Sequence, residues 1–195
     1  MRKTNGASPS RGAPGAGWPP AVQAWWLVAV LSFAYILSYL DRIVINLLVG
    51  PIQEAFDIGD TEFGALQGLA FGLFYTLLAL PIGRLTDTGP RRPIVAVGVS
   101  VFGFMTMLSG LAANYWTLFL TRIGVGAGEA SLSPAAYSLI SDSFPPEKLG
   151  RAIAVFTMNA FFGIGLAYLI GGGVIARIEL AERPEIDRAT RLHPG

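Results

Sequence analysis

The sequence predicts an all-α membrane protein with five spanning helices. Three observations lead there. Of 195 residues, 52% are hydrophobic and only 14% are charged, against about 25% charged in soluble domains. Residues 63–83 and 94–121 hold no Asp, Glu, Lys or Arg, and a spanning helix needs about 20 apolar residues. Finally, Lys and Arg crowd into alternate connections, the asymmetry that separates cytoplasmic from outer loops.

Taken in order, helix 1 is expected over 24–49, opened by the interface pair Trp25-Trp26 and ended by Gly50-Pro51. A loop bearing Glu54, Asp57, Asp60 and Glu62 follows, without a base. Residues 63–83 give helix 2, with Gly64, Gly68 and Gly72 four apart in one smooth stripe suited to tight packing or to sliding. Arg84 to Pro93 is a short charged loop. The uncharged run from Ile94 is too long for one helix, so helix 3 is placed over 94–113, a turn at Asn114, and helix 4 over 115–141. Pro145-Pro146 marks the next loop, and helix 5 spans 152–177, closed by Gly171-Gly172-Gly173 and Arg177.

Domain organisation follows. Residues 1–20 read as a disordered basic cytoplasmic tail, since the next apolar run is too long for a signal peptide's h-region and shows no convincing cleavage site. Residues 21–178 form the helical bundle. Residues 179–195 form a polar tail on the outer side. Arg2, Lys3, Arg11, Arg84, Arg91, Arg92, Lys148 and Arg151 lie on one side, which is therefore cytoplasmic. The expected location is the inner (plasma) membrane, multi-pass, with the N-terminus inside.

Several chemistries are disfavoured. There is no cysteine, hence no disulfide, thiolate nucleophile or Cys-ligated metal. The single histidine, His193, lies in the tail, so a hydrolytic triad is remote and no enzyme activity is expected. No metal or cofactor is expected. A net charge of +1 argues against nucleic-acid binding. The run Gly124-Val-Gly-Ala-Gly128 imitates part of a dinucleotide loop, but no strand precedes it and its spacing is wrong.

The informative residues are charges inside apolar runs. Arg122 and Glu129 are seven apart, two helical turns or about 10 Å on one face, with Gly124, Gly126 and Gly128 between them to admit another backbone. An isolated charge in hydrocarbon costs roughly 2.5–3.5 kcal/mol on insertion scales, so each needs a partner. Asp41 and Arg42 are the candidates. Their depths along helix 1 let Arg42 reach toward Glu129 and Asp41 toward Arg122, while adjacent residues point about 100° apart and cannot serve one partner. The face of Arg42 also carries Tyr35, Ser38, Tyr39 and Asn46. One reading is an ion-pair network that fixes helices 1 and 4. The functional reading makes Asp41 and Glu129 proton-coupling groups, and makes Arg42 and Arg122, with Tyr35, Ser38 and Asn46, a charge network for an anionic substrate.

The loop Gly83-Arg-Leu-Thr-Asp87-Thr-Gly-Pro-Arg91-Arg92 resembles the cytoplasmic motif of the major facilitator superfamily at Gly83, Asp87, Arg91 and Arg92, departing at Thr88 and Pro90. A finer resemblance is to the spinster-like branch. It rests on Tyr39-Leu-Asp-Arg42, Asp57-Ile-Gly-Asp60, the Gly-Glu-Ala-Ser131 sequence after Arg122, and Ser141-Asp-x-Phe-Pro145 leading to Arg151. Ala167 and Tyr168 stand where the superfamily's antiporters have Gly-Pro, which disfavours drug antiport.

The resemblance implies the N-terminal half of a major facilitator fold, with five of an expected twelve transmembrane helices present. It implies that Gly83, Asp87, Arg91 and Arg92 form a cytoplasmic conformational lock. It also implies secondary active, proton-coupled, alternating-access transport of an amphipathic anion such as a lysophospholipid or sphingoid phosphate. The partners expected are the lipid bilayer, that lipid-like or organic-anion substrate, protons and the missing C-terminal half. Alternatives are a symporter or antiporter for a small organic anion, or a truncated, non-transporting membrane subunit.

Overall fold

A computed structural model describes residues 18–192, except the side chains of Asp87 and of residues 178–192. Among the described residues there are helices and no strand. The first 17 residues, most of the expected basic tail, and His193 lie outside the described residues.

Helix α1 (Ala21–Leu47) buries Ala24, Val28, Leu31, Ala34, Ser38 and Ile45. Their three-, four- and seven-residue spacing makes one stripe along the helix. Gly50 and Pro51 do not end the structure there. They sit in the first turn of a short helix, α2 (Val49–Phe56), where proline's missing N–H is unneeded. Asp57 caps α2 in the left-handed region (φ 51°), which a short polar side chain tolerates.

The second span is longer than expected. It comprises α3 (Asp60–Gly64), a π-helical stretch (Ala65–Leu73) and α4 (Phe74–Thr88). Its glycine stripe is not a packing seam among the described residues. A Cβ on Gly64 or Gly68 meets nothing within 4 Å, and one on Gly72 makes only an ordinary 3.5 Å contact. Helix α5 (Arg91–Gly110) follows. Helix α6 (Tyr115–Glu129) opens at Asn114, whose side chain accepts from the Thr117 N–H at 2.9 Å, a side-chain N-cap.

The expected fourth helix, 115–141, is two pieces. It breaks at Ala130–Ser131, and α7 runs Leu132–Ser143. The physical reason is Pro134, which cannot donate to the Ala130 carbonyl and crowds it. Helix α8 (Pro146–Leu192) continues through Gly171–Gly173 and Arg177. The glycines weaken a helix in water, but in lipid the backbone must satisfy itself internally. The predicted tail, 179–195, is thus helical as far as Leu192. Among the described residues, four helices are individually long and apolar enough to span: Ala21–Leu47, Asp60–Thr86, Arg91–Gly110 and Pro146–Arg177. The α6–α7 segment reaches that length only as two helices.

The bundle packs around two centres. One joins α1, α7 and α8 through Val28, Leu31, Ala135, Ile140, Ala152 and Phe156. The other, smaller, joins Ile45, Leu66 and Leu118. Close backbone approaches bind the rest. On α6, a Cβ at Gly128 falls 2.5 Å from the Phe102 nitrogen of α5, and one at Gly126 falls 2.7 Å from the Phe71 carbonyl of the π stretch. At Gly163 of α8 it falls 2.9 Å from the Ile36 carbonyl of α1. These glycines bring α6 against two neighbours and α8 against α1, as small residues do in membranes. Phe161, Phe162, Leu169 and Trp26 are exposed on the faces turned away from the two centres.

Candidate functional site

Two ion pairs link α1 to α6. The Arg122 guanidinium grips Asp41 as a fork, Nη1 to Oδ2 at 2.8 Å and Nη2 to Oδ1 at 3.2 Å. Both side chains are buried, with 4% and 8% exposure. Such bidentate pairing fixes orientation as well as supplying attraction. One turn further along the same face of α1 would be Ile45, so the neighbouring Arg42 points elsewhere. It meets Glu129, donating from Nε at 2.8 Å and from Nη2 to the same oxygen, Oε2. The hundred-degree step between successive helical residues thus sends two adjacent charges to two partners.

The pairs differ in surroundings. The Glu129 side chain has no exposure, whereas Arg42 keeps 32%. Glu129 Oε1 and Arg122 Nε are buried without hydrogen-bond partners. The guanidinium of Arg42 lies 4.8 Å from the Phe71 ring centre, 4.9 Å from Tyr75 and 5.8 Å from Tyr39, all within cation–π range. Arg42 therefore has an anion on one side, aromatic faces on others, and an open flank.

The remaining residues singled out from sequence are distributed around this pair. Asn46 donates to the Arg42 carbonyl at 2.8 Å and accepts from Gln67 at 2.7 Å, which ties α1 to the π stretch. Ser38 is buried on α1. Tyr35 packs its ring 4.7 Å from Phe156 and 5.2 Å from Tyr39, so it sits at the α1–α8 seam and touches the Tyr39 ring that in turn lies beside Arg42. The sequence reading missed Phe71, Tyr75 and Gln67. Phe71 and Tyr75 are four apart in the second span, which puts them on one face, and that spacing was the available signal.

At the predicted cytoplasmic end, Arg91 pairs with Asp142 of α7 and donates from Nε to the Thr86 carbonyl at 3.0 Å. It thereby ties the start of α5 to the ends of α4 and α7. Arg92 is exposed, a Cβ at Gly83 meets nothing within 4 Å, and the Asp87 side chain lies outside the described residues. Asp142 was not among the predicted lock residues, although it stands in the Ser141-Asp-x-Phe-Pro145 sequence.

The chain is similar to known proteins in sequence and in fold. The chain is 34% identical over 155 residues to an MFS-type efflux pump of Mycolicibacterium smegmatis, covering 80% of this chain and 36% of that one. It is 32% identical over 176 residues to human protein spinster homolog 1, covering 89% of this chain and 31% of that one. It also superposes on the crystal structure of a bacterial homolog to the human lysosomal transporter Spinster, inward-facing and unoccupied, with a TM-score of 0.75 and 35% identity over 80% of this chain and 32% of that one. The inward-facing, occupied form gives 0.74 and 37%, over 80% and 33%. The chain thus spans about a third of the length of these relatives. Residues 31–180, from the buried stripe of α1 through both ion pairs and into α8, match the Major Facilitator Superfamily, and the chain belongs to that family.

Proposed function

We propose that this chain forms the N-terminal part of a proton-coupled secondary transporter for an amphipathic anion, a lysophospholipid or sphingoid phosphate being the expected class. The observation that carries it is the Arg42–Glu129 pair. A buried carboxylate has one oxygen engaged and one free, and its cationic partner keeps an open, aromatic-walled flank. Protonating Glu129 removes the charge that holds Arg42, and an arriving anion offers Arg42 a replacement. Proton and substrate then compete through one guanidinium, which is a coupling mechanism in which each ligand biases the same two-state element. Asp41 and Arg122 provide the fixed pair against which the movable one works. Gly83, Asp87, Arg91 and Arg92, now joined by Asp142, serve as the cytoplasmic lock, with the N-terminus inside.

Support for a lipid-like substrate comes from what the spinster-like resemblance implies and from the Phe71 and Tyr75 rings beside Arg42. The similarity to a mycobacterial efflux pump favours a second reading, export of a different amphipathic compound through the same charge pair. The test is uptake into liposomes containing the complete transporter, under an imposed proton gradient. A labelled lysophospholipid should accumulate with the gradient and fail to do so in Glu129→Gln. Transport that ignores the gradient would reject proton coupling. Transport of cationic dyes but no anionic lipid would favour the export reading.

A further inference from the structure

Beside the charge pairs lies a neutral pair. Gln67 of the π stretch donates from Nε2 to Asn46 Oδ1 of α1 at 2.7 Å. The polarity of that bond is fixed. The other end of the Asn46 amide donates from Nδ2 to the Arg42 carbonyl at 2.8 Å, and a carbonyl only accepts. Asn46 must therefore present its oxygen to Gln67, and Gln67 must answer with an N–H.

Two observations set this pair apart from a plain tie between helices. First, each amide directly follows a buried apolar residue, Ile45 and Leu66, and these pack together with Leu118. The helices are already held there. Asn46 is exposed and Gln67 half-buried, so the amides lie at the rim of that seam. Second, Gln67 is seven residues, about 10 Å, inside the second span, which begins at Asp60. Each carboxamide offers two N–H donors and an oxygen with two lone pairs, and among the described residues the Gln67 side chain makes only the one bond. Polar groups with unused capacity are costly against acyl chains and suit a wet cavity.

Their place on the wall says which cavity. Asn46 is four residues from Arg42, about 6 Å further along the same face of α1. Gln67, Phe71 and Tyr75 follow one another at four-residue steps, and the last two rings lie 4.8 and 4.9 Å from the Arg42 guanidinium. The amide pair is thus the next polar station beyond the open flank of Arg42.

We propose that Asn46 and Gln67 read an uncharged hydroxyl on the substrate, about one helical turn from the anionic group held by Arg42. The hydroxyl enters between the two amides, accepting from the Gln67 N–H and donating to the Asn46 oxygen, so neither amide has to turn over. A single oxygen does both only as a hydroxyl: an ether or ketone oxygen has no proton to donate, and an ammonium cannot accept. The inference rests on the anion-transport reading above and narrows its substrate to a hydroxylated amphipathic anion.

The test is equilibrium binding to the complete transporter in nanodiscs, with empty nanodiscs subtracted. The probes are tritiated 1-acyl lysophosphatidate, whose hydroxyl sits on the carbon next to the phosphate-bearing one, and its 2-deoxy analogue of the same charge and chain. The wild type should bind the hydroxyl form about three- to tenfold tighter, the gain of one net hydrogen bond. Gln67→Leu should bring the hydroxyl form down to the level of the deoxy analogue. Asn46→Ala should do the same, and stands in if Gln67→Leu does not fold. Loss of a mere helix tie would weaken both probes by one factor and leave the preference intact. That result overturns the proposal, as does a wild type that binds the two probes equally. If the wild type binds neither probe, or binds both undiminished after Arg42→Gln, the anion reading itself falls, and this proposal with it.

Discussion

Glu129 accepts two hydrogen bonds from Arg42 on a single carboxylate oxygen and leaves its other oxygen buried and unpartnered. A carboxylate that is half satisfied has two ways to complete itself, by gaining a proton or by gaining another donor. That asymmetry is why this pair, rather than the forked Asp41–Arg122 pair, is proposed as the movable one.

The first prediction concerns protons. The state with the Arg42–Glu129 pair intact binds one proton fewer than the state in which Glu129 is protonated and Arg42 released. Raising pH therefore favours the paired state, and acid favours the released one. Spin-label distances between α1 and α6 in the complete transporter should shift with pH in the wild type. In Glu129→Gln that pH response should flatten, because the side chain no longer titrates. A response of unchanged amplitude would exclude Glu129 as the titrating group.

The second prediction separates removal of one charge from removal of two. Arg122→Ala leaves Asp41 buried with no cation, and should destabilise the bundle by about 3–5 kcal/mol. Asp41→Asn in the same chain removes the stranded charge and should recover a large part of that loss. Reversible SDS unfolding in bicelles reads both. A double variant no better than Arg122→Ala would mean that Arg122 acts through packing alone.

How much of this was legible in the sequence depends on what each feature rests on. The two pairings follow from helix periodicity and depth, which the sequence carries directly, so Arg42 could be matched to Glu129 and Asp41 to Arg122. The division of the fourth helix was also legible, because Pro134 breaks an α-helix at a known offset, but hydrophobicity over 115–141 masked it. The aromatic walls from Phe71 and Tyr75 depend on how the second span is rotated against α1. The π stretch at Ala65–Leu73 alters that rotation, and no residue pattern announces it. Asp142 meets Arg91 only because α7 ends at the level where α5 begins, a tertiary fact.

The third prediction concerns the end proposed to be cytoplasmic. Arg91 and Asp142 are 27% and 61% exposed, so Asp142→Asn should change bundle stability by less than about 1 kcal/mol. Its effect should appear instead in the conformational equilibrium of the complete transporter, as a larger share of molecules open on the cytoplasmic side by double electron–electron resonance. A stability loss of several kcal/mol with no change in that distribution would make the pair purely structural.

The fourth prediction contrasts glycines that look alike in sequence. At Gly128 an added Cβ meets the Phe102 nitrogen at 2.5 Å and the Gly98 carbonyl at 2.7 Å, and backbone cannot swing aside as a flexible side chain can. At Gly98 the clash is with Ser131 Oγ and the Gly128 carbonyl, at the same crossing. Gly128→Ala or Gly98→Ala should therefore force α5 and α6 apart and destabilise by about 1–3 kcal/mol. The strain at Gly128 falls next to Glu129, so its approach to Arg42 loosens as well. Gly64, in the stripe that sequence alone marks for packing, meets nothing within 4 Å. Gly64→Ala should be neutral or stabilising by up to about 1 kcal/mol, because alanine gives up less backbone freedom in a helix. SDS unfolding of the three variants side by side decides the matter. If Gly64→Ala proves the damaging one and Gly128→Ala the tolerated one, the crossing of α5 and α6 is not where the bundle is held closest.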